Sequence, residues 1–197
     1  MHFAKEEWSV HEARWDLDLD VALWFREYLR IKAALPAQMP GPLTPPQTVT
    51  SNQPPSLEFQ EGWEAWWSGL TSSPPGTEPG GVAGYARDEY QALASWPNLR
   101  SVVLDAVPVA ERWHRDRKSA ALNSWQPDLL LLEIVKAVED SLGHELAPFR
   151  IDLLLLPIQT TEICEVIPGR FMLSEDQREA FLRSNLFRNT IRTFGSN

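Results

Sequence analysis

Asp152 lies inside an otherwise apolar run, FRIDLLLLPIQ (149–159), and Glu162 and Glu165 follow after Pro157. Carboxylates delivered by a strand and the turn beyond it suit Mg²⁺ or Mn²⁺, which take oxygen ligands and activate water for hydrolysis. One expectation is therefore a metal-dependent hydrolase or nuclease using Asp152, Glu162 and Glu165. A second constellation is the segment Glu111-Arg112-Trp113-His114-Arg115-Asp116-Arg117-Lys118. Arg112, His114, Arg115 and Arg117 beside an indole could hold a phosphate, a carboxylate or an unpaired base. On a helix, however, Glu111 pairs with Arg115 and Arg112 with Asp116 at four-residue spacing, which is how a solvated face is laced.

The acidic set is similar in outline to the metal centre of PD-(D/E)xK nucleases. It departs from that pattern at two positions: Cys164 stands two residues after Glu162 where the pattern has lysine, and no proline precedes Asp152. The competing expectation puts Asp152 at the solvent edge of its strand, or pairs it with Arg150 or a helix arginine. The four histidines (His2, His11, His114, His144) are scattered and the one cysteine has no partner at zinc-ligand spacing, so no metal is expected from them. No phosphate-loop, dinucleotide-binding, GxSxG or kinase signature occurs. No cofactor is expected.

The third constellation is FQEGWEAWWSGL (59–70), with three tryptophans in five positions. At about 100° per residue, Phe59, Trp63, Trp66, Trp67 and Leu70 share one side of a helix while Glu61, Glu64 and Ser68 project opposite. Burying such rings is worth roughly 20 kcal/mol gross. Ordering the segment costs a similar sum, at about 1.5 kcal/mol per residue, so the helix is stable only when docked. Trp63, Trp66 and Trp67 therefore face the protein's own core, with a partner protein or a stacked ligand as the alternatives.

These groups need elements to carry them. DVALWFREYLRIKAAL (20–35) has apolar residues at steps of three and four, with Asp18 or Asp20 as cap and Pro36 as stop. Seven prolines in 36–56 forbid helix and central strand, predicting an extended connector. Its single PxxP match is a weak pointer to SH3-type recognition. Residues 71–84 read as a Gly/Pro-rich loop, and prolines on both sides suggest that the tryptophan helix is a detached arm lying back on the body. Tyr85–Trp96 reads as a short helix. Pro97 opens another, which Pro108 either kinks or divides near residue 107. Residues 127–142 predict a helix closed by Gly143 and apolar around most of its circumference at the start. Residues 149–159 predict a strand; 166–167 and 171–173 predict a pair about Pro168-Gly169. Ser174-Glu175-Asp176-Gln177 predicts the cap of one last helix running to Gly195. The fold expected is α+β, mainly helical, with about six helices and a small two- to three-stranded sheet in the C-terminal third, in a single domain over 1–197.

The chain has 43% hydrophobic and 23% charged residues, which fits a folded protein. It lacks an apolar run of transmembrane length, and its N-terminal stretch is acidic without a signal core. One cysteine favours a reducing compartment, so a cytoplasmic location is expected. The net charge of −9 disfavours nucleic acid as a partner. The functional expectation is an interaction module (adaptor, assembly or immunity-type protein) that binds another protein rather than catalysing. The hydrolase and the anion-binding segment are its rivals.

Overall fold

β2 (Arg150–Leu156) is the strand around which the chain is organised. Its LLLL run is buried on both sides, the composition expected of a central parallel strand covered on each face. β1 (Ser9–Arg14) pairs with it in parallel on one side, and β4 (Arg170–Ser174) pairs in parallel on the other. β3 (Cys164–Ile167) runs antiparallel to β4 and completes the order β1-β2-β4-β3. A computed structural model describes residues 8–32, 41–72, 90–124 and 129–196 of the chain.

Alternation along β2 and β4 divides the core. Ile151, Leu153, Leu155, Phe171 and Leu173 point to one face, where α4 (Leu130–Leu142), α5 (Arg178–Arg183) and α6 (Asn185–Gly195) cover them. Leu154, Leu156 and Met172 point to the other, under α1 (Leu17–Tyr28), α2 (Leu57–Thr71) and α3 (Pro97–Ser124). The fold is thus α+β, with six helices among the described residues and a four-stranded mixed sheet. The C-terminal hairpin about Gly169, in the left-handed region at φ 78°, forms as its turn residues require. The N-terminal strand enlarges the expected sheet, because β1 finds its partner some 140 residues away.

α2 matches the expected tryptophan helix and starts directly after its proline-rich approach, with Ser56 accepting from the Phe59 N–H at 3.2 Å. Trp63, Trp66 and Trp67 are all at most 5% exposed. Trp63 and Trp67 stack with centroids 5.5 Å apart, and Trp66 meets Tyr90 edge-on at 5.7 Å. Trp63 Nε1 also donates to the Ala22 carbonyl of α1 at 2.7 Å. The three rings therefore belong to the chain's own core, and the alternative of an exposed partner face on them is withdrawn. At Gly62 a Cβ would lie 2.7 Å from both Leu99 and Trp96, so glycine lets α2 close on α3.

Several expected boundaries move. α1 begins at Leu17, is capped by Asp16 through the Leu19 N–H at 3.0 Å, and stops at Tyr28 rather than at Pro36. Arg30 takes a left-handed φ of 54° there, and residues 33–40 lie outside the described residues. The connector from Gly41 onward is not a free arm. Arg26 Nη2 donates to the Gly41 carbonyl at 2.6 Å, and Thr44 N–H and Gln159 N–H exchange bonds with the Pro157 and Pro42 carbonyls at 2.8 Å. Ser51 N–H then reaches the Tyr28 carbonyl at 2.8 Å. α3 is one helix across Pro108. Of the helix expected over 85–96, the described residues 90–96 hold a 3-10 turn, Gln91–Leu93; residues 73–89, including most of the Gly/Pro-rich loop, fall outside the described residues.

α4 keeps Gly143 as its left-handed cap at φ 76°, but it is buried on one side only, with Leu129 and Leu132 exposed. The expected last helix is broken. Glu175–Gln177 form a 3-10 turn, α5 follows, and Ser184 turns extended to cap α6 through the Phe187 N–H at 3.2 Å.

Burial this complete makes a direct prediction. Trp63→Ala should lower stability by about 3–5 kcal/mol, read as a shift in the urea midpoint. Trp63→Phe should cost more than Trp66→Phe, because Trp63 Nε1 is hydrogen-bonded and Trp66 Nε1 is buried without an acceptor among the described residues. Near-neutral Trp63→Ala would contradict the packing.

Candidate functional site

Parallel pairing brings the carboxyl ends of β1, β2 and β4 to the same edge of the sheet. The segments leaving that edge are Trp15–Asp16, Pro157–Ile163 and Glu175–Gln177, and α3 reaches Asp20, just beyond the first, and Glu175 of the last through Arg117. Of the charged groups singled out by the sequence, His114, Arg117 and Glu162 lie here.

Asp20, on the first turns of α1, is 2% exposed. Its Oδ2 lies 2.6 Å from His114 Nδ1 and accepts from Arg117 Nη2 at 2.5 Å. Arg117 Nη1 continues to Glu175 Oε1 at 2.8 Å, and its guanidinium carbon sits 5.6 Å from the Trp113 ring centre. Burial tends to depress the Arg117 guanidinium, but the charges of Asp20 and Glu175 outweigh it and hold it above the ordinary value. Asp16 completes the group. Burial pushes its carboxyl up, the Leu19 N–H pulls it down, and repulsion from Asp20 adds to the rise.

The basic segment is therefore split. His114 and Arg117 point inward and are spent on Asp20 and Glu175, whereas Arg112 and Arg115 are exposed on the opposite side of α3. Arg115 makes the expected four-residue pair with Glu111, at 3.7 Å. The four cations do not converge on one anion, which corrects the expected binding segment.

The acidic set is split as well. Asp152 is 1% exposed. Its Oδ1 accepts from Arg150 Nε and its Oδ2 from Arg170 Nη2, each at 2.8 Å. Arg170, itself fully buried, stands beside Asp152 in the β2–β4 register and donates through Nη1 to the Thr71 carbonyl at 3.2 Å, closing the C-terminal end of α2. Glu162 and Glu165 are exposed, and Glu165 Oε1 accepts from the Gly169 N–H at 2.9 Å across its own hairpin. Asp152 thus pairs with Arg150, as one expectation had it, and with a strand arginine. It does not join the two glutamates, and among the described residues no three His, Cys, Asp or Glu side chains are placed to hold a metal ion. Cys164 beside them has its thiol pushed up by burial and by the charges of Glu162 and Glu165, the opposite of what a nucleophile needs.

Open to water at the carboxyl edge is a crevice of about 470 Å³ lined by Gln159, Thr160, Thr161, Glu162, Asp176 and Gln177. Of these only Glu162 was singled out in the sequence. The missed signal was the polar run Gln-Thr-Thr-Glu directly after a buried strand, together with a capping-box motif whose serine turns elsewhere. Ser174 Oγ contacts Asp176 Oδ1 and lies 3.1 Å from the Thr160 carbonyl oxygen, tying the two walls together. In comparisons with known proteins, no family, no curated protein and no solved structure matches this chain. No helix among the described residues is long and apolar enough to cross a membrane.

The Asp152 environment fixes a pH dependence. Burial alone raises a carboxyl, yet hydrogen bonds from Arg170 and Arg150 prevail and hold Asp152 below its ordinary 3.8. A depressed folded-state value stabilises fully above the unfolded one and is lost as pH falls through the folded one. Stability should therefore decline below about pH 4, and Asp152→Asn should reduce that slope in acid denaturation monitored by tryptophan fluorescence. An unchanged slope would contradict the assignment.

Proposed function

We propose that this chain is a soluble, cytoplasmic protein-interaction module of the adaptor, assembly or immunity type, which acts by binding a protein with a basic surface. One observation carries this reading: the groups best suited to chemistry are neutralised inside the molecule, while the wet groups lining the crevice at the carboxyl edge of the sheet are acidic or neutral. Asp152 is held by two arginines and His114 and Arg117 are held by Asp20. Among the described residues, three buried arginines (Arg26, Arg117, Arg170) stand against two buried aspartates (Asp20, Asp152), so burial there does not offset the formal charge of −9.

Electrostatic complementarity of this kind speeds encounter and selects partners. It also disfavours nucleic acid, whose phosphates the same field repels. The hydrolase alternative would need Asp152 to leave Arg170, exposing a buried, uncompensated cation at a cost of about 3–5 kcal/mol.

Affinity capture from the native extract tests the reading. Expected is a discrete basic protein, retained at low ionic strength and released as salt screens the contact, with no calorimetric heat and no change in melting on adding Mg²⁺ or Mn²⁺. Saturable metal binding accompanied by cleavage of nucleic acid would replace the binding module with the hydrolase.

A further inference from the structure

The crevice has walls of two kinds. Gln159–Glu162 come from the loop leaving β2, and Asp176–Gln177 from the 3-10 turn leaving β4. Both walls are fixed from behind. The Gln159 N–H donates to the Pro42 carbonyl at 2.8 Å, and Gly41 packs so closely on Gln159 that a Cβ would lie 2.0 Å from its carbonyl oxygen. Glu162 N–H donates to Thr160 Oγ1 at 3.1 Å, and Ser174, fully buried, joins Thr160 to Asp176. Backbone and buried hydroxyl contacts thus hold the loop in place before any ligand arrives, which lowers the ordering cost of binding.

The lining decides the ligand. Two carboxylates, two carboxamides and two threonine hydroxyls are all acceptors or can be, and none of the six residues is a cation or an aromatic. Anions are repelled, and a sugar or base finds no ring to stack on. The neighbouring cations are committed elsewhere: Arg117 to Asp20 and Glu175, and Arg178 to Glu12 at 2.8 Å. Negative charge around the loop is also felt by the Cys164 thiol. A donor-rich cationic side chain is the group that such a concavity satisfies.

We infer that this crevice is a socket for a basic side chain, arginine or lysine, projecting from a loop of the partner protein. The inference rests on the binding-module reading and adds the residue class recognised and the place that recognises it. Glu162 and Asp176 supply the charge. Gln159, Gln177 and the two threonines accept the remaining N–H groups.

The test uses the full chain and two small probes: arginine amide, and citrulline amide, which keeps the shape and loses the charge. Side-chain amide resonances of Gln159 and Gln177 report occupancy by NMR titration. Expected is a saturable shift with arginine amide, none with citrulline amide, and affinity about fivefold weaker in Glu162→Gln, the usual scale for removing one half-exposed charge. No shift with arginine amide, equal shifts with both probes, or full affinity in Glu162→Gln would each overturn the socket. Capture of a basic partner by a Glu162→Gln/Asp176→Asn variant at undiminished affinity would sink the socket while leaving the binding module standing.

Discussion

The Asp152–Arg170 pair is the constraint on which the rest of this structure depends. Two charges withdrawn from water are tolerated only when each satisfies the other and the remaining polar atoms find partners. Here the pair joins β2 to β4 in register, and Arg170 reaches past it to the last carbonyl of α2. Sheet and tryptophan helix are thereby fixed to one another at a single point. Around that point the aromatic face of α2 closes over α1, with Gly62 allowing α3 to come near.

The second ionic junction repeats this logic at the carboxyl edge. Asp20 from α1 receives His114 and Arg117 from α3, and Arg117 passes on to Glu175 beyond β4. Both junctions convert residues that resemble catalytic groups into ties between layers. Their consequence for function is indirect: with its cations drawn inward, this edge presents carboxylates, carboxamides and hydroxyls to solvent. Position and chemistry then agree, because this polar crevice lies where three strands end and where the loops are held by buried contacts.

Much of the fold was legible in the residues. α2 showed itself through ring spacing, β2 through an unbroken apolar run, the β3–β4 hairpin through Pro168-Gly169, and α4 through Gly143. β1 was not legible, since SVHEAR has little apolar content and gains strand structure only by parallel pairing with β2. The role of Asp152 stayed open for a similar reason: Arg170 becomes its neighbour through strand register, which one sequence does not display. The inward turn of His114 and Arg117 depended on Asp20, almost a hundred residues earlier. Ser174 looked like a helix cap but spends its hydroxyl on the loop of Thr160, so the last helix starts later and breaks at Ser184.

A double-mutant cycle on Asp152 and Arg170, read from urea unfolding of Asp152→Asn, Arg170→Met and the combined variant, probes this account at its centre. A buried mutual pair predicts that either single change is strongly destabilising and that the double change costs far less than their sum, with coupling of about 2–3 kcal/mol. Additivity to within about 0.5 kcal/mol would mean that the two side chains do not depend on each other, and the carboxylate would again be free for chemistry.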